Sequence, residues 1–369
     1  MKRTVSKPTV VSPSLALKPK RLGFVTLGAN VPSTRFRFFA FQKPLAARGH
    51  RCRMWTSHPS VYDYYPKLGW RPSYQIKRAN RWLQSLDARW FRPDTIYLER
   101  GAFHDESTWM DERFRRWTPR LVLDVDDAVF LQFPEKIPKL IRMSDHVIVS
   151  NRPLREYVAQ FHDRITEIPT SVSLERYHCR DYPLEPPSRP TIGWIGTTSN
   201  LAFMSVCAGA LRRLSREHSF TLLVIAPTDE PLRGIDLAGV DVRFERWAPE
   251  TELGFLRSMD IGVMPLPSDQ EWMKYKAATK LVQYMAIGIP AVASPIGVNA
   301  DILAGDRGGA GGRVGIAASN EEEWFEGLRR LLDDPDLRRN LGRQGRDLVE
   351  SRFSVEANLG RLEQVLAGD

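Results

Sequence analysis

The sequence predicts an α/β protein of two doubly wound, Rossmann-like domains that face each other across a cleft. Three observations predict it. Short, near-continuous apolar runs alternate with helix-length segments, the alternation stops at a Pro-rich break and then restarts, and 369 residues suit two such domains.

Residues 1–20, opening "MKRTVSKPTVV", are basic and rich in Pro, Ser and Thr without a sustained apolar core, which predicts a disordered tail rather than a signal peptide. The first domain, 21–180, draws its strands from "LGFVTLG", "RCRMWT", "TIYLER", "RLVLDV" and "DHVIVS". A Pro-rich hinge is expected over 181–190. The second domain, 191–350, restarts with "TIGWI", "TLLVI", "VDVRFERW", "DIGVMPL" and "PAVAS". Residues 351–369 read as a C-terminal helix free to pack back on the N-terminal domain. Ligands of open α/β sheets bind at the carboxyl ends of the strands, so the cleft between the domains is the expected site.

Hydrophobic residues at 42% and charged residues at 26% are the balance of a soluble globular chain. The net charge of +9 points to an acidic partner: a phosphate-rich ligand, an anionic membrane surface or nucleic acid. Cys52, Cys179 and Cys207 lack C-x-x-C spacing and no two histidines are four apart, which argues against a disulfide framework or a zinc site and suits a reducing cytoplasm. No stretch reaches the roughly 18 apolar residues of a membrane span, so any membrane contact is expected to be peripheral.

The strongest chemical signal is "KYKAATKLVQYMAIGIP", residues 274–290. A helix is expected from near Ala277, with the amides of Ala278 and Thr279 free at its start and Lys276 and Lys280 one turn apart. Lysines at a positive helix end are unfavourable unless an anion is present, and a diphosphate would satisfy both amides and ammonium groups. The competing reading is that they are solvated surface charges. A second candidate is "TIGWIGTTSN", where Gly196 permits close backbone approach and Thr197 leads a run of hydroxyls; a plain helix cap explains it equally well.

"IGWIG", "RWAPETELGFLRSMDIGVMPLP" and above all "KAATKLVQYMAIGIPAVASPIGVN" resemble the C-terminal half of glycosyltransferase family 4, retaining nucleotide-sugar transferases with the two-domain GT-B fold. The resemblance is specific over about residues 190–300. It implies a nucleotide-diphosphate sugar held by the C-terminal domain, with no cofactor required. Many members carry two glutamates eight positions apart before the G-x-P turn. Counting back from Pro290 places Gln283 and Tyr275 there, so the pair is missing. Gln283 can still bond ribose hydroxyls, and nearby Glu271 can supply a carboxylate.

In the first domain, "LVLDVDDAVF" ends a strand with Asp124, Asp126 and Asp127. By the resemblance, Asp126 and Asp127 stand where the family often has a His-Asp pair, near the donor sugar and acceptor. Their carboxylates can accept hydroxyl hydrogen bonds or a proton. A D-x-D-D run also suggests Mg²⁺, although the GT-B class does not generally use such a motif for metal. In "GANVPSTRFRFF", Ser33 and Thr34 are candidate caps or phosphate contacts; of Arg35 and Arg37 one is expected to enter the cleft, with Arg35 favoured as an acceptor contact.

Residues 67–93 interleave basic residues with Trp70, Tyr74, Trp82, Trp90 and Phe91. This composition suits an anionic lipid surface, would tolerate nucleic acid without any recognisable module for it, or is a solvated basic helix with core aromatics.

The residues and the resemblance together predict a retaining transferase that moves a hexose to a hydroxyl of a glycan, a lipid-linked sugar or another small acceptor. Lys276 and Lys280 would neutralise the departing diphosphate. The alternative is a non-catalytic GT-B protein that binds a nucleotide or glycan and docks on a membrane or assembly. A third reading is an inverting transferase or epimerase with Asp126 as base.

Overall fold

The computed structural model describes residues 18–181, 187–305 and 313–368. The expected tail therefore lies almost wholly outside the described residues, as does the middle of the Pro-rich stretch.

Six short apolar runs form the N-terminal sheet: β1 (Arg21–Thr26), β2 (Arg51–Thr56), β3 (Thr95–Glu99), β4 (Arg120–Val125), β5 (His146–Val149) and β6 (Ile165–Glu167). They pair in the order β2-β1-β3-β4-β5-β6, all parallel. Helices cover both faces, so the central strands are buried throughout, with Leu121, Val122 and Leu123 of β4 fully enclosed. The second sheet holds β7 (Thr191–Ile195), β8 (Thr221–Ala226), β9 (Val242–Arg246), β10 (Ile261–Met264), β11 (Ala291–Ala293) and β12 (Ile316–Ala317). Its order is β12-β11-β10-β7-β8-β9, again parallel.

Both orders reverse direction once, between β1 and β3 in the first sheet and between β7 and β10 in the second. A crevice opens where neighbouring crossovers leave to opposite faces. The loops that begin at Leu27, Arg100, Gly196 and Pro265 therefore border the site.

The chain crosses between domains upstream of the expected hinge. Val172 and Val355 run side by side, the Val172 amide donating to Phe353 O and the Val355 amide to Val172 O, each at 2.9 Å. Tyr177 already belongs to the core of the second domain, and the Arg180 amide donates to Ile287 O at 2.9 Å. Burial of Tyr177 fixes the linker before the prolines are reached. After the second crossing, the helix Val355–Ala367 lies on the first sheet, with Val355, Leu359, Leu362 and Leu366 packed with Phe24 and Tyr97. Thr95 Oγ1 donates to Leu366 O at 2.7 Å, and His50 meets Glu363 at 2.9 Å.

The long helix α1 (Trp70–Phe91) is turned opposite to ordinary amphipathicity. Ser73, Lys77, Arg81 and Ser85 face inward, whereas Trp82, Leu83 and Trp90 face solvent. Arg81 explains the orientation: its guanidinium donates to Thr26 O, Trp55 O and Ala102 O at 2.6–3.0 Å, satisfying carbonyls around the ends of three strands.

Candidate active site

On the C-terminal side the site is built by the loop after β7 and by helix α2 (Thr279–Ile287). Leu281 to Ile287 are all buried, and Gly288 closes the helix in the left-handed conformation at φ 81°. The helix starts two residues later than expected. Ala278 is also left-handed, φ 52°, and takes the capping place with its methyl in the core, so it offers the ligand no side chain. The first intrahelical bond runs from the Val282 amide to Ala278 O at 3.1 Å, so the amides without a partner inside the helix are those of Thr279, Lys280 and Leu281.

Gly196 and Lys280 meet directly. A Cβ on Gly196 would lie 2.7 Å from Lys280 Cε and from the Trp194 ring, so only glycine leaves room for the lysine to cross the loop. Lys280 Nζ sits 5.3 Å from the Trp194 ring centroid and Lys276 Nζ 5.9 Å from that of Phe203. Neither ammonium has a carboxylate partner within salt-bridge distance among the described residues. Burial, with Lys276 nearby, pushes Lys280 down to about 7. An ammonium held this way is short of an anion. Thr197 sits beside the pair, accepting from Asn200 Nδ2 at 3.0 Å and lying 3.2 Å from Ser199 Oγ.

The N-terminal side presents the ends of β3 and β4. Asp124 is buried against Arg37 in a bidentate pair of 2.6 and 2.7 Å. Asp126 is held the same way by Arg100 at 2.5 and 2.9 Å. Burial opposes its charge, but Arg100, aided by Arg37, outweighs that and holds the carboxyl below its usual range. Asp127 keeps only a 3.9 Å approach from Arg100 and accepts the Ala128 amide at 3.0 Å. Burial raises its carboxyl, and Lys276, then Arg100, act against that rise. Asp127, rather than Asp126, is the carboxylate of this strand end with capacity to spare.

Arg100 has no counterpart in the sequence expectations. It adopts a left-handed conformation, φ 52°, immediately after β3, and also donates to Tyr62 Oη at 3.0 Å. The Tyr62 ring in turn packs edge-on against His104, centroids 4.7 Å apart. Of the three non-glycine residues with positive φ among the described residues, Arg92, Arg100 and Ala278, two flank this cleft from opposite domains. Strain of this kind collects at functional sites. The "LER" ending of "TIYLER" was the sequence signal available for Arg100.

Several expected contacts are committed elsewhere. Arg35 does not reach an acceptor position; it makes a buried bidentate pair with Glu252 at 2.7 and 2.8 Å. Ser33 and Thr34 donate to the buried Glu99 at 2.5 and 2.6 Å and are not phosphate contacts. Gln283 is buried, its amide donating to Tyr177 Oη at 3.1 Å, and Tyr177 donates to Glu252 at 2.8 Å. Tyr275 closes the domain interface: its ring stands edge-on to Phe130, centroids 5.0 Å apart, and its carbonyl accepts from Asn151 Nδ2 at 2.8 Å. Glu271 is exposed on the short turn Glu271–Tyr275. Asp124 and Asp126 are taken by arginines, so the D-x-D-D run does not offer a cation three free carboxylates, and no metal-ligating cluster of three His, Cys, Asp or Glu occurs among the described residues.

Residues 189–334 match the family model described as glycosyl transferases group 1. No curated protein sequence matches the chain. Solved structures match over nearly its whole length. A glycosyltransferase from Rickettsia africae aligns with TM-score 0.65 and 12% identity, covering 95% of this chain and 98% of that one. The sucrose-phosphate synthase of Thermosynechococcus elongatus aligns with TM-score 0.66 and 15% identity, over 94% and 98%. Anabaena HepE in complex with UDP and glucose aligns with TM-score 0.60 and 14% identity, over 95% and 100%. The chain has the GT-B fold, two Rossmann-like domains, and residues 189–334 within it are similar to group 1 glycosyl transferases. The match over residues 189–334 supports glycosyl transfer. Among the described residues no helix is long and apolar enough to cross a membrane.

Proposed function

We propose that the protein is a family 4-like retaining glycosyltransferase, moving a hexose from a nucleotide-diphosphate sugar to a hydroxyl of a glycan, a lipid-linked sugar or another small acceptor on the cytoplasmic side. The observation that carries this reading is the pair Lys276 and Lys280, without ion-pair partners among the described residues, beside three first-turn amides with no intrahelical partner at the switch point of the second sheet.

The diphosphate would lie on the amides of Thr279, Lys280 and Leu281 and against both ammonium groups. The Gly196–Thr197 loop would close over it. Negative charge grows on the leaving phosphate in the transition state, so these groups bind that state more tightly than the ground state. Front-face attack suits the site: the leaving oxygen takes the acceptor proton, and no nucleophilic carboxylate is needed. Asp127 would accept a hydrogen bond from the sugar or acceptor hydroxyl, with Asp126 fixing Arg100 beside it. Glu271, at the exposed turn before Tyr275, is the remaining carboxylate for a donor hydroxyl. Asp124 and Asp126, paired with Arg37 and Arg100, are not free to ligate Mg²⁺.

The test is incubation with UDP-, GDP- and ADP-sugars, following nucleotide release and the configuration of the product. Release with a retained anomer is the expected result. Release with an inverted anomer would replace this mechanism with direct displacement.

A binding protein without turnover is the second reading. Its support is that Tyr275 and Gln283, at the family's glutamate positions, are used for domain contact and for the Tyr177 network. Nucleotide binding with no release from any sugar nucleotide would favour it.

A further inference from the structure

We propose that the solvent face of α1 is a docking surface for an anionic lipid bilayer. The proposal stands on this face alone and not on the glycosyl-transfer reading. Pro72, Ile76, Ala79, Leu83, Leu86 and Trp90 are spaced alternately four and three apart, which draws one continuous stripe along the helix. The stripe points outward: Ile76 is 37%, Leu83 59% and Trp90 83% exposed. At 1.5 Å per residue the helix is about 33 Å long, so the stripe is large for a surface left to water.

The orientation is enforced from inside. Lys77 Nζ donates to Val61 O at 3.0 Å and Arg81 holds three further carbonyls, so turning the apolar face inward would strand both buried cations and those carbonyls. Polar groups that a soluble helix would show to water are used as core, and the apolar ones are left outside.

Charge selects the occupant. Arg71, Arg78 and Arg89 are exposed along one flank of the stripe, and no carboxylate pairs with them among the described residues. Asp87, the single acid of the helix, is already held by Arg53 at 2.8 Å and by the Trp55 indole. A second copy would therefore bring these arginines no free acid, whichever way the two helices ran. An anionic headgroup layer over an acyl boundary meets both parts, phosphates to the arginines and the hydrocarbon edge to Leu83 and Trp90. The surface also leads into the cleft: Trp70 packs edge-on to Tyr64, and Tyr62, two residues earlier, packs edge-on to His104 and accepts a hydrogen bond from Arg100 at its hydroxyl.

Flotation of the full chain with phosphatidylcholine vesicles, alone or mixed with phosphatidylglycerol, tests the proposal. Two variants are compared with the parent chain: Ile76→Ser/Leu83→Ser/Trp90→Ser and Arg71→Gln/Arg78→Gln/Arg89→Gln. The parent should partition onto phosphatidylglycerol vesicles, more weakly at high salt, and not onto phosphatidylcholine alone. The arginine variant should lose on the order of 100-fold in partitioning, and the apolar variant should lose binding at low salt as well. Each variant tests a separate half, so one that fails to fold by circular dichroism leaves the other to decide. The proposal is overturned if the parent ignores anionic vesicles or if both folded variants bind as it does, which would move binding to another basic segment. It is also overturned if sedimentation without lipid shows a dimer that the apolar variant dissolves.

Discussion

Arg35 and Glu252 join the two domains through a bidentate ion pair, 2.7 and 2.8 Å, from which solvent is almost excluded. Tyr177 Oη and the Trp247 indole donate to the same carboxylate, each at 2.8 Å. Burial works against the charge on Glu252, but these donors outweigh it and hold the carboxyl below its usual range. Arg35→Met should therefore destabilise the protein by about 3–5 kcal/mol, because it leaves a buried carboxylate without its counter-ion. Arg35→Met/Glu252→Leu should recover part of that loss. Urea unfolding of the two variants checks it; equal losses would show that the pair is not the linkage that matters.

Lys276→Ala and Lys280→Ala should each lower turnover of the sugar nucleotide by 10-fold or more, on the order expected for a lost transition-state charge contact. Neither lysine has an ion pair to lose, so unfolding midpoints should not fall. A variant that loses turnover and stability together would point to a structural role instead.

Lys280 gives nucleotide binding a pH signature. Burial, with Lys276 nearby, holds its ammonium down to about 7, and a bound diphosphate would draw the value back up toward the ordinary lysine value. Above about pH 7 binding then takes up a proton, so affinity should fall by up to about tenfold per pH unit. Calorimetry in two buffers of different ionisation heat at about pH 8 should report that uptake, and Lys280→Met should abolish it. The same shift has the opposite consequence for the empty protein. Between about 7 and the ordinary lysine value the unfolded chain holds more protons, so this group's contribution to stability rises with pH. At neutral pH Lys280→Met should make the empty protein more stable.

The two adjacent aspartates should separate cleanly. Asp126→Asn removes the counter-charge of buried Arg100 and should destabilise by about 3–5 kcal/mol. Asp127→Asn should leave stability within about 1 kcal/mol and lower turnover. Loss of turnover in Asp126→Asn alone, at full stability, would reverse their roles.

Much of this architecture was legible because buried parallel strands leave continuous apolar runs, as in "RLVLDV" and "TLLVI". The lysine cluster was legible for the opposite reason, as charge where local physics disfavours it. Side-chain pairing across elements was not. Arg35 and Arg37 flank one residue on a π-turn over Arg35–Phe39, yet one pairs with Glu252 in the other domain and the other with Asp124 in β4. Nothing local distinguishes those partners. Arg100 escaped notice because its role depends on the register of β3 against β4, which sets Glu99 beside Asp124 and brings Asp126 within reach. In α1 the inward-facing Lys77 and Arg81 answer to strand-end carbonyls, a demand that hydrophobic patterning does not contain.

The most direct test of the anion site is thermal unfolding with UDP, GDP, ADP and their sugar conjugates, for the parent chain and for Lys276→Ala/Lys280→Ala. At about 100 times its dissociation constant a ligand adds roughly 2.7 kcal/mol to stability. Stabilisation by one nucleotide family, and its loss in the double variant, is the expected result. Equal stabilisation of both proteins would contradict it, because the diphosphate would then be held somewhere other than between Lys276 and Lys280.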